Sequence, residues 1–401
     1  MINPRLDLLP DYPFQRLRDL LNPLAPPAGV EPVLMSLGEP QHDYPALVAE
    51  VMAANAHLYG KYPPAPGTPA LRQAIVGWLQ RRYGLPAGFI DPDRHVSAVS
   101  GTREGLFMCA FVAVPPEKAG GRAKVLMPNP FYQCYGGAAI AAGGEPVYLP
   151  VTAETNFLPD LDAIPAETWA RTALFYLCSP SNPQGTIADI AYIRRLLGLA
   201  RRHNFVLVMD ECYAEIYLDQ PPPGALQAVQ GLDGGALDNL LCFHSLSKRS
   251  SVPGLRAGFV VGDPKLIRLF LRLREYGGNP LPLPIDATAA ALWNDEAHVA
   301  PNRARYVAKF DAAQRILGNR FGFYRPGGGF FLWLDVGDSE AAAVKLWTEA
   351  AIRVLPGAYL AVGGDIQKGG QPNPGQRYIR VALVHDEAVT EQALTRVAEV
   401  L

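Results

Sequence analysis

The chain has 401 residues, 49% of them hydrophobic, enough to bury a large core divided between two or three domains. Its 36 basic and 38 acidic residues leave a net charge of -2 and are mixed along the sequence, so no basic face is offered to nucleic acid or to an anionic membrane.

The first stretch, "MINPRLDLLPDYPFQRLRDLL", carries Arg5, Asp7, Asp11, Arg16, Arg18 and Asp19 where a signal peptide needs an apolar core, and no later run reaches membrane-spanning length. A cytoplasmic location is therefore expected. The extended "PVLMSLGEP" reads as a segment entering the main domain. Thr68 and Pro69 then give an N-cap and a first-turn proline, with Leu71, Ile75, Trp78 and Leu79 on one face and Gly84 as the stop.

From about residue 95 to 261, "HVSAVS", "AKVLMP", "EPVYLPV", "ALFYLCS", "FVLVMDE", "LLCFHS" and "RAGFVVG" alternate with helical stretches, the pattern of a mostly parallel α/β sheet. Such sheets bind ligands at their strand ends. In "SAVSGTREGLF" a strand runs into a helix start, so the amides of Gly101, Thr102 and Arg103 form an anion site; neither a Walker loop nor a dinucleotide fingerprint is present. "MPNPFYQCY" offers Phe131 and Tyr132 after a strand, either as a surface turn or as a plane against a flat ligand. In "CSPSNPQGT", Asn182 is either a turn residue or a hydrogen-bond donor into the same crevice. In "VMDECYAEIY", Asp210 at the strand end either caps a helix or pairs with a protonated ring nitrogen, with the Tyr213 phenol close behind.

Lys248 in "HSLSKRSSVPGLRAGF" is a nucleophile only when neutral, which burial or a nearby cation such as Arg256 promotes; a solvated Lys248-Arg249 pair is the plain alternative. Asp263 and Pro264 open another helix. Beyond the Pro-rich "GGNPLPLP" the pattern shifts to longer helices with late strand candidates "FFLWLDV", "IRVLPG" and "RYIRVALV", a second and smaller α+β domain. Cys109, Cys134, Cys178, Cys212 and Cys242 are widely spaced and read as reduced core thiols. The seven histidines make no ligand-spaced pair, so no metal is expected.

Taken together, the "SLSK" box, "PGLRAGF" and the Asn-Pro-x-Gly turn resemble the class I/II aminotransferases of the pyridoxal-phosphate fold-type I group over nearly the whole chain. That resemblance implies an α/β fold with a large mostly parallel sheet domain at 38–285, a smaller α+β domain at 286–401, and an N-terminal arm at 1–37 that joins the small domain in part. It implies pyridoxal 5'-phosphate as cofactor, with Lys248 as its covalent anchor and proton carrier. Asp210 would hold the ring nitrogen protonated, Tyr213 and Asn182 would bond the ring hydroxyl oxygen, and Tyr132 would stack on the ring. The phosphate would lie on Gly101, Thr102 and Arg103, closed in by Ser245, Ser247 and Arg256. Tyr62 would reach the phosphate of a neighbouring subunit, hence a homodimer with shared sites. Arg380 would grip the α-carboxylate of amino-acid and 2-oxo-acid substrates by a bidentate fork, with Gly38 and Asn182 beside it. Cis bonds are expected at one or both of 129–130 and 182–183.

Within the family the likeness is strongest to the bacterial succinyldiaminopimelate aminotransferases, which implies N-succinyl-LL-diaminopimelate and 2-oxoglutarate as the pair, in lysine and diaminopimelate biosynthesis. Arg249, Arg272 and Arg274 are then candidates for the distal carboxylates. Aspartate, aromatic and N-acyl-diamino-acid aminotransferases are the near rivals, and a carbon-sulfur lyase using the same cofactor is a further one. "YGGNPLPLPI" and "PGGGFFLWL" depart from that subgroup on the substrate side.

Overall fold

The computed structural model describes residues 3–230, 232, 236–363 and 372–401. A seven-stranded sheet runs in the order Val96–Val99, Gly258–Gly262, Leu240–Ser245, Val206–Asp210, Thr172–Cys178, Lys124–Asn129 and Glu145–Pro150. The last five are parallel to one another, whereas Gly258–Gly262 is antiparallel to both of its neighbours. All seven strand runs expected from the sequence are present.

They are predominantly apolar because the sheet is covered on both faces. Leu207 and Met209 face the cluster holding Trp78, Leu79 and Phe259, while Val206 and Val208 face the one holding Leu106, Tyr135 and Tyr176. The same period-two alternation decides what the strand end does. Asp210 falls on the Tyr135 side and Glu211 on the Tyr83 side, each bonded to that tyrosine's hydroxyl, at 2.6 and 2.8 Å.

Helix Pro69–Tyr83 begins and ends where its sequence signals place it. The Thr68 side chain accepts from the Leu71 N–H, and Gly84 closes the helix at φ 61°. Asp263 caps Pro264–Gly277 in the same manner. A tertiary contact reinforces the first cap: the buried Asp286 carboxylate accepts from both the N–H and the hydroxyl of Thr68, at 2.9 and 2.5 Å. Helix Leu283–Asn294, which carries Asp286, puts Ala289, Leu292 and Trp293 into the Trp78 cluster. It runs across the expected domain break at 285 and packs with the large sheet's helices.

The smaller part has a three-stranded antiparallel sheet in the order Phe331–Asp335, Tyr378–Ala382, Leu355–Pro356. Beside it Val33–Leu34 pairs in parallel with Ile352–Arg353. Phe310, Leu346 and Leu394, from the helices Val299–Leu317, Ser339–Ala350 and Glu387–Val400, pack with Leu332 and Ile379 of the sheet. The chain after Val33–Leu34 runs to the crevice between the two parts, where Leu37 and Gly38 line the cavity beside Lys248. Among the described residues no helix is long and apolar enough to cross a membrane.

Thr68→Ala removes the cap and takes from the buried Asp286 carboxylate its hydroxyl donor, leaving only the backbone N–H at position 68. We expect a loss of about 2 kcal/mol, read as a lower midpoint in denaturant titration, from the usual worth of a cap and of a buried charged hydrogen bond.

Candidate active site

Two adjoining cavities open at the C-terminal ends of the parallel strands. Between them they are lined by Gly38, Thr102, Arg103, Tyr132, Asn182, Asp210, Tyr213, Ser245, Ser247, Lys248, Arg256 and Arg380. Chain segments more than 340 residues apart meet there because each parallel strand delivers its following loop to the same edge of the sheet. Gly101 completes the group by packing on Arg256. Tyr62 stands apart, fully exposed at 101%.

Lys248 lies in the one-turn helix Leu246–Arg249, which Ser245 caps by accepting from the Ser247 N–H. Its Nζ donates to the Gly38 carbonyl at 2.6 Å and lies 5.2 Å from the Phe330 ring centre. Burial brings the amine down to about 8, with Cys212 and Glu39 opposing and the Arg380 and Arg256 cations assisting. Arg256, named from the sequence as the assisting charge, is thus the lesser contributor. Gly38 is glycine for a steric reason: a Cβ there would come within 2.6 Å of the Phe331 ring.

Asp210 is buried at the end of its strand. Its Oδ2 accepts from Tyr135 at 2.6 Å and its Oδ1 from the Cys212 N–H at 3.3 Å. Burial pushes the carboxyl upward, and these hydrogen bonds pull against that shift. Tyr135 was not identified from the sequence, although it stands three positions after Tyr132, in the first turn of the helix Gln133–Ala141 that Tyr132 precedes. It stacks on Tyr176 at 4.5 Å, which holds the phenol in line with Asp210. Tyr213 is buried edge-on to Phe330 and Phe331, and its phenol is raised well above its usual range by burial.

On the other flank, the fork of Arg380 reaches Asn182 Oδ1 at 3.0 Å and the Ser36 carbonyl at 2.7 Å, with Phe331 beneath it at 4.3 Å. Its Nε finds no partner among the described residues. Burial lowers this guanidinium to about 10, so it remains a cation at neutral pH. Since Asn182 spends its oxygen on Arg380, its NH₂ is the end left to donate. The peptide bonds 129–130 and 182–183 are both cis, as is Ser179-Pro180, which the sequence reading did not anticipate. The "PGGG" departure is accounted for by Gly328, whose N–H donates to Gly185 in the Asn182 turn, setting Phe330 and Phe331 against the crevice.

The anion-binding end differs in one detail from expectation. The Gly101 N–H already donates to the Val99 carbonyl at 2.8 Å, so the amides of Thr102 and Arg103, at the start of helix Thr102–Ala113, are those without intrahelical acceptors. Gly101 sits at φ 82°, and a Cβ there would fall 2.1 Å from Arg256 Nη2. The glycine lets that cation approach the helix N-terminus. The Ser245 and Ser247 hydroxyls lie 2.9 Å apart beside it. The Arg103 side chain is committed elsewhere, donating to the Tyr132 hydroxyl at 2.6 Å.

Of the three arginines considered for distal carboxylates, none lines these cavities. Arg249 is buried between Trp78 and Trp293 and bonds the carbonyls of Leu292 and Asp295 and the Glu296 carboxylate. Arg274 is buried against Glu104 and the Asn279 carbonyl, bracing "GGNP" beside the anion-binding turn. Arg272 is exposed in a separate surface groove with Asp93 and Arg94. A charged side chain in a sequence does not disclose whether its partners are protein groups. Residues of the arm, Tyr12 and Phe14, line the site instead, together with Leu37, Phe331 and Leu360.

The geometry therefore joins a primary amine of lowered basicity, a buried carboxylate, an aromatic wall, an anion cradle and a second guanidinium in one crevice. Comparison with known proteins agrees. A family model described as aminotransferase class I and II matches residues 31–397. The chain is 33% identical, over 96% of its length and 98% of the relative's, to the 4-dedimethylamino-4-oxo-anhydrotetracycline transaminase OxyQ of Streptomyces rimosus. It is 29% identical to an LL-diaminopimelate aminotransferase of Nitratidesulfovibrio vulgaris, with 98% of each chain covered. Among solved structures, an aminotransferase from Neisseria meningitidis matches with a TM-score of 0.92 and 40% identity over 99% of each chain. The chain belongs to the class I and II aminotransferases, fold-type I enzymes that use pyridoxal phosphate.

Proposed function

We propose that the crevice moves an amino group between an α-amino acid and a 2-oxo acid, with Lys248 as the reactive amine. The carrying observation is Lys248 itself: an amine held by a backbone carbonyl, lowered to about 8, at the strand ends beside Asp210 and Arg380. Pyridoxal phosphate fits this donor set. The Thr102 and Arg103 amides, Ser245, Ser247 and Arg256 suit its phosphate, Asp210 its ring nitrogen, and Tyr213 and the Asn182 NH₂ its ring oxygen. Tyr132 supplies an aromatic face. When bound, the cofactor supplies an electron sink for the bond to the substrate α-carbon.

This chain's own groups do the rest. Arg380, with Nε unmatched, takes the substrate α-carboxylate and fixes which substrate bond faces Lys248. Asp210, held by Tyr135, would stabilise a proton on the cofactor's ring nitrogen. Lys248, in its neutral form, would be the base that takes the proton from the substrate α-carbon and, once protonated, the acid that gives it back.

For the substrate pair we propose N-succinyl-LL-diaminopimelate and 2-oxoglutarate, within lysine and diaminopimelate biosynthesis. Likeness to a diaminopimelate aminotransferase supports this reading, and the placement of Arg249, Arg272 and Arg274 removes their support from it. A second reading, an aromatic donor, is favoured by Tyr12, Phe14, Leu37, Phe331 and Leu360 around the same cavity. The homodimer with shared sites is part of the proposal. The full exposure of Tyr62 and the paired, exposed Phe107 and Phe111 rings, 5.6 Å apart, support a partner surface. A cytoplasmic site of action accompanies it.

Three outcomes are expected. Lys248→Ala leaves no amino transfer above the background rate and no borohydride-trappable cofactor; full activity in that variant removes the assignment. In cofactor-free protein, capture of pyridoxal phosphate by Lys248 rises with pH through about 8 and then levels, because the neutral amine reacts. A lysine at the ordinary 10.5 would still be rising there. In a panel of donors with 2-oxoglutarate, succinyldiaminopimelate gives the highest kcat/KM; tyrosine or phenylalanine ahead of it selects the aromatic reading.

A further inference from the structure

Helix Leu246–Arg249 is a single turn, closed by one backbone hydrogen bond from the Ser250 N–H to the Leu246 carbonyl. A helix that short cannot satisfy the carbonyls at its own end, nor fix them in place. The two carbonyls concerned belong to Lys248 and Arg249. Both are bonded by one side chain from another element: Asn302 Nδ2, in helix Val299–Leu317, donates to each at 3.1 Å. Asn302 is 8% exposed and lines neither cavity of the site.

Asn302 is itself held in orientation. Its Oδ1 accepts from the Ser251 hydroxyl at 3.0 Å and lies 3.1 Å from His42 Nδ1. On the far side of the imidazole, His42 Nε2 lies 2.6 Å from the Nζ of Lys309, a side chain with no exposure at all. Lys309 also donates to the Leu383 carbonyl at 3.0 Å. Burial, helped by the Lys309 cation, lowers His42 to about 4, so the ring is neutral at neutral pH. One proton arrangement then satisfies every contact. Lys309 donates to Nε2, Nδ1–H donates to Asn302, and the Asn302 NH₂ donates to the two carbonyls.

We propose that Asn302, oriented by His42 and Lys309, is a positioning residue for Lys248. The polar path starts at Leu383, just past the strand that carries Arg380, and ends on the backbone of Lys248. The same groups also meet through rings: Lys309 lies 4.8 Å from the Tyr306 ring, Tyr306 stacks on Phe330 at 5.4 Å, and Phe330 lies against the Lys248 amine. Ser251, three residues after Lys248, holds a left-handed φ of 51°, a conformation a serine keeps only under constraint. The inference rests on Lys248 being the reactive amine.

The test uses the holoenzyme of Asn302→Asp, which keeps the side-chain shape but turns the donor into an acceptor facing two carbonyls. His42→Phe serves as the second variant, because it keeps the ring against Tyr306 and removes both hydrogen bonds. In each, kcat falls by about tenfold with KM for donor and acceptor within about twofold, as expected when a reacting group is misplaced while substrate contacts stay intact. The pH midpoint of the resting cofactor's visible absorption, which reports the environment of Lys248 among Glu39, Cys212, Arg256 and Arg380, shifts by about half a unit or more. A purely structural role lowers thermal stability and leaves both readouts at wild-type values; that result in His42→Phe, or in both variants, overturns the proposal. Lys248→Ala in the same assay separates the failures. If it is active, the reading of Lys248 falls; if it is inactive while the two variants match wild type, only this inference falls.

Discussion

The Lys248 amine is held by a backbone carbonyl and not by a carboxylate, and the site is organised around that choice. A carboxylate partner would have kept the ammonium charged, as opposite charges do. The Gly38 carbonyl positions Nζ without adding a full negative charge, so burial can bring the amine to about 8. The arrangement needs Gly38 close to the crevice, which needs a residue without a Cβ against Phe331. It also needs the small sheet, from which the chain enters, to be held at a set distance from the large one.

Charge elsewhere in the crevice is handled by the same means, through neutral partners. Arg380 bonds an amide oxygen and a carbonyl, so its positive charge remains uncompensated by the protein and available to a substrate anion. Asp210 accepts from a phenol and a backbone amide, so its negative charge is likewise available to a cationic ligand atom. Ion pairing is kept at a distance. Arg249 and Arg274, one of them adjacent in sequence to Lys248, form closed contacts with Glu296 and Glu104 and serve packing. The crevice is therefore electrostatically unsatisfied by its own side chains, which is what a site for a zwitterionic cofactor and a charged substrate requires.

Much of this was legible in the sequence. Parallel strands covered on both faces read as continuous apolar runs, and each hands its next loop to one edge, so Gly101, Tyr132, Asn182, Asp210 and Lys248 could be placed together from order alone. Helix ends at Thr68 and Asp263 were equally plain, since cap chemistry is local. Tyr135 was legible in principle, lying one helical turn from Tyr132. What could not be read were contacts between residues far apart in the chain: Asp286 on Thr68, Asn302 on the Lys248 carbonyl, His42 against Lys309. Nothing local marks them.

The sequence by itself determined the sheet, the helix boundaries and the identity of the chemistry-bearing side chains, because strand period, capping and strand-end loops act over a few residues. Only the tertiary structure decided which cations are free to meet a ligand, and which are already matched. Arg256 and Arg380 reach the crevice, while Arg249 is packed between two tryptophans, Trp78 lying 171 positions before it and Trp293 44 positions after it. A side chain's charge is written in its residue type, but whether that charge is compensated depends on neighbours that only folding brings within hydrogen-bonding distance.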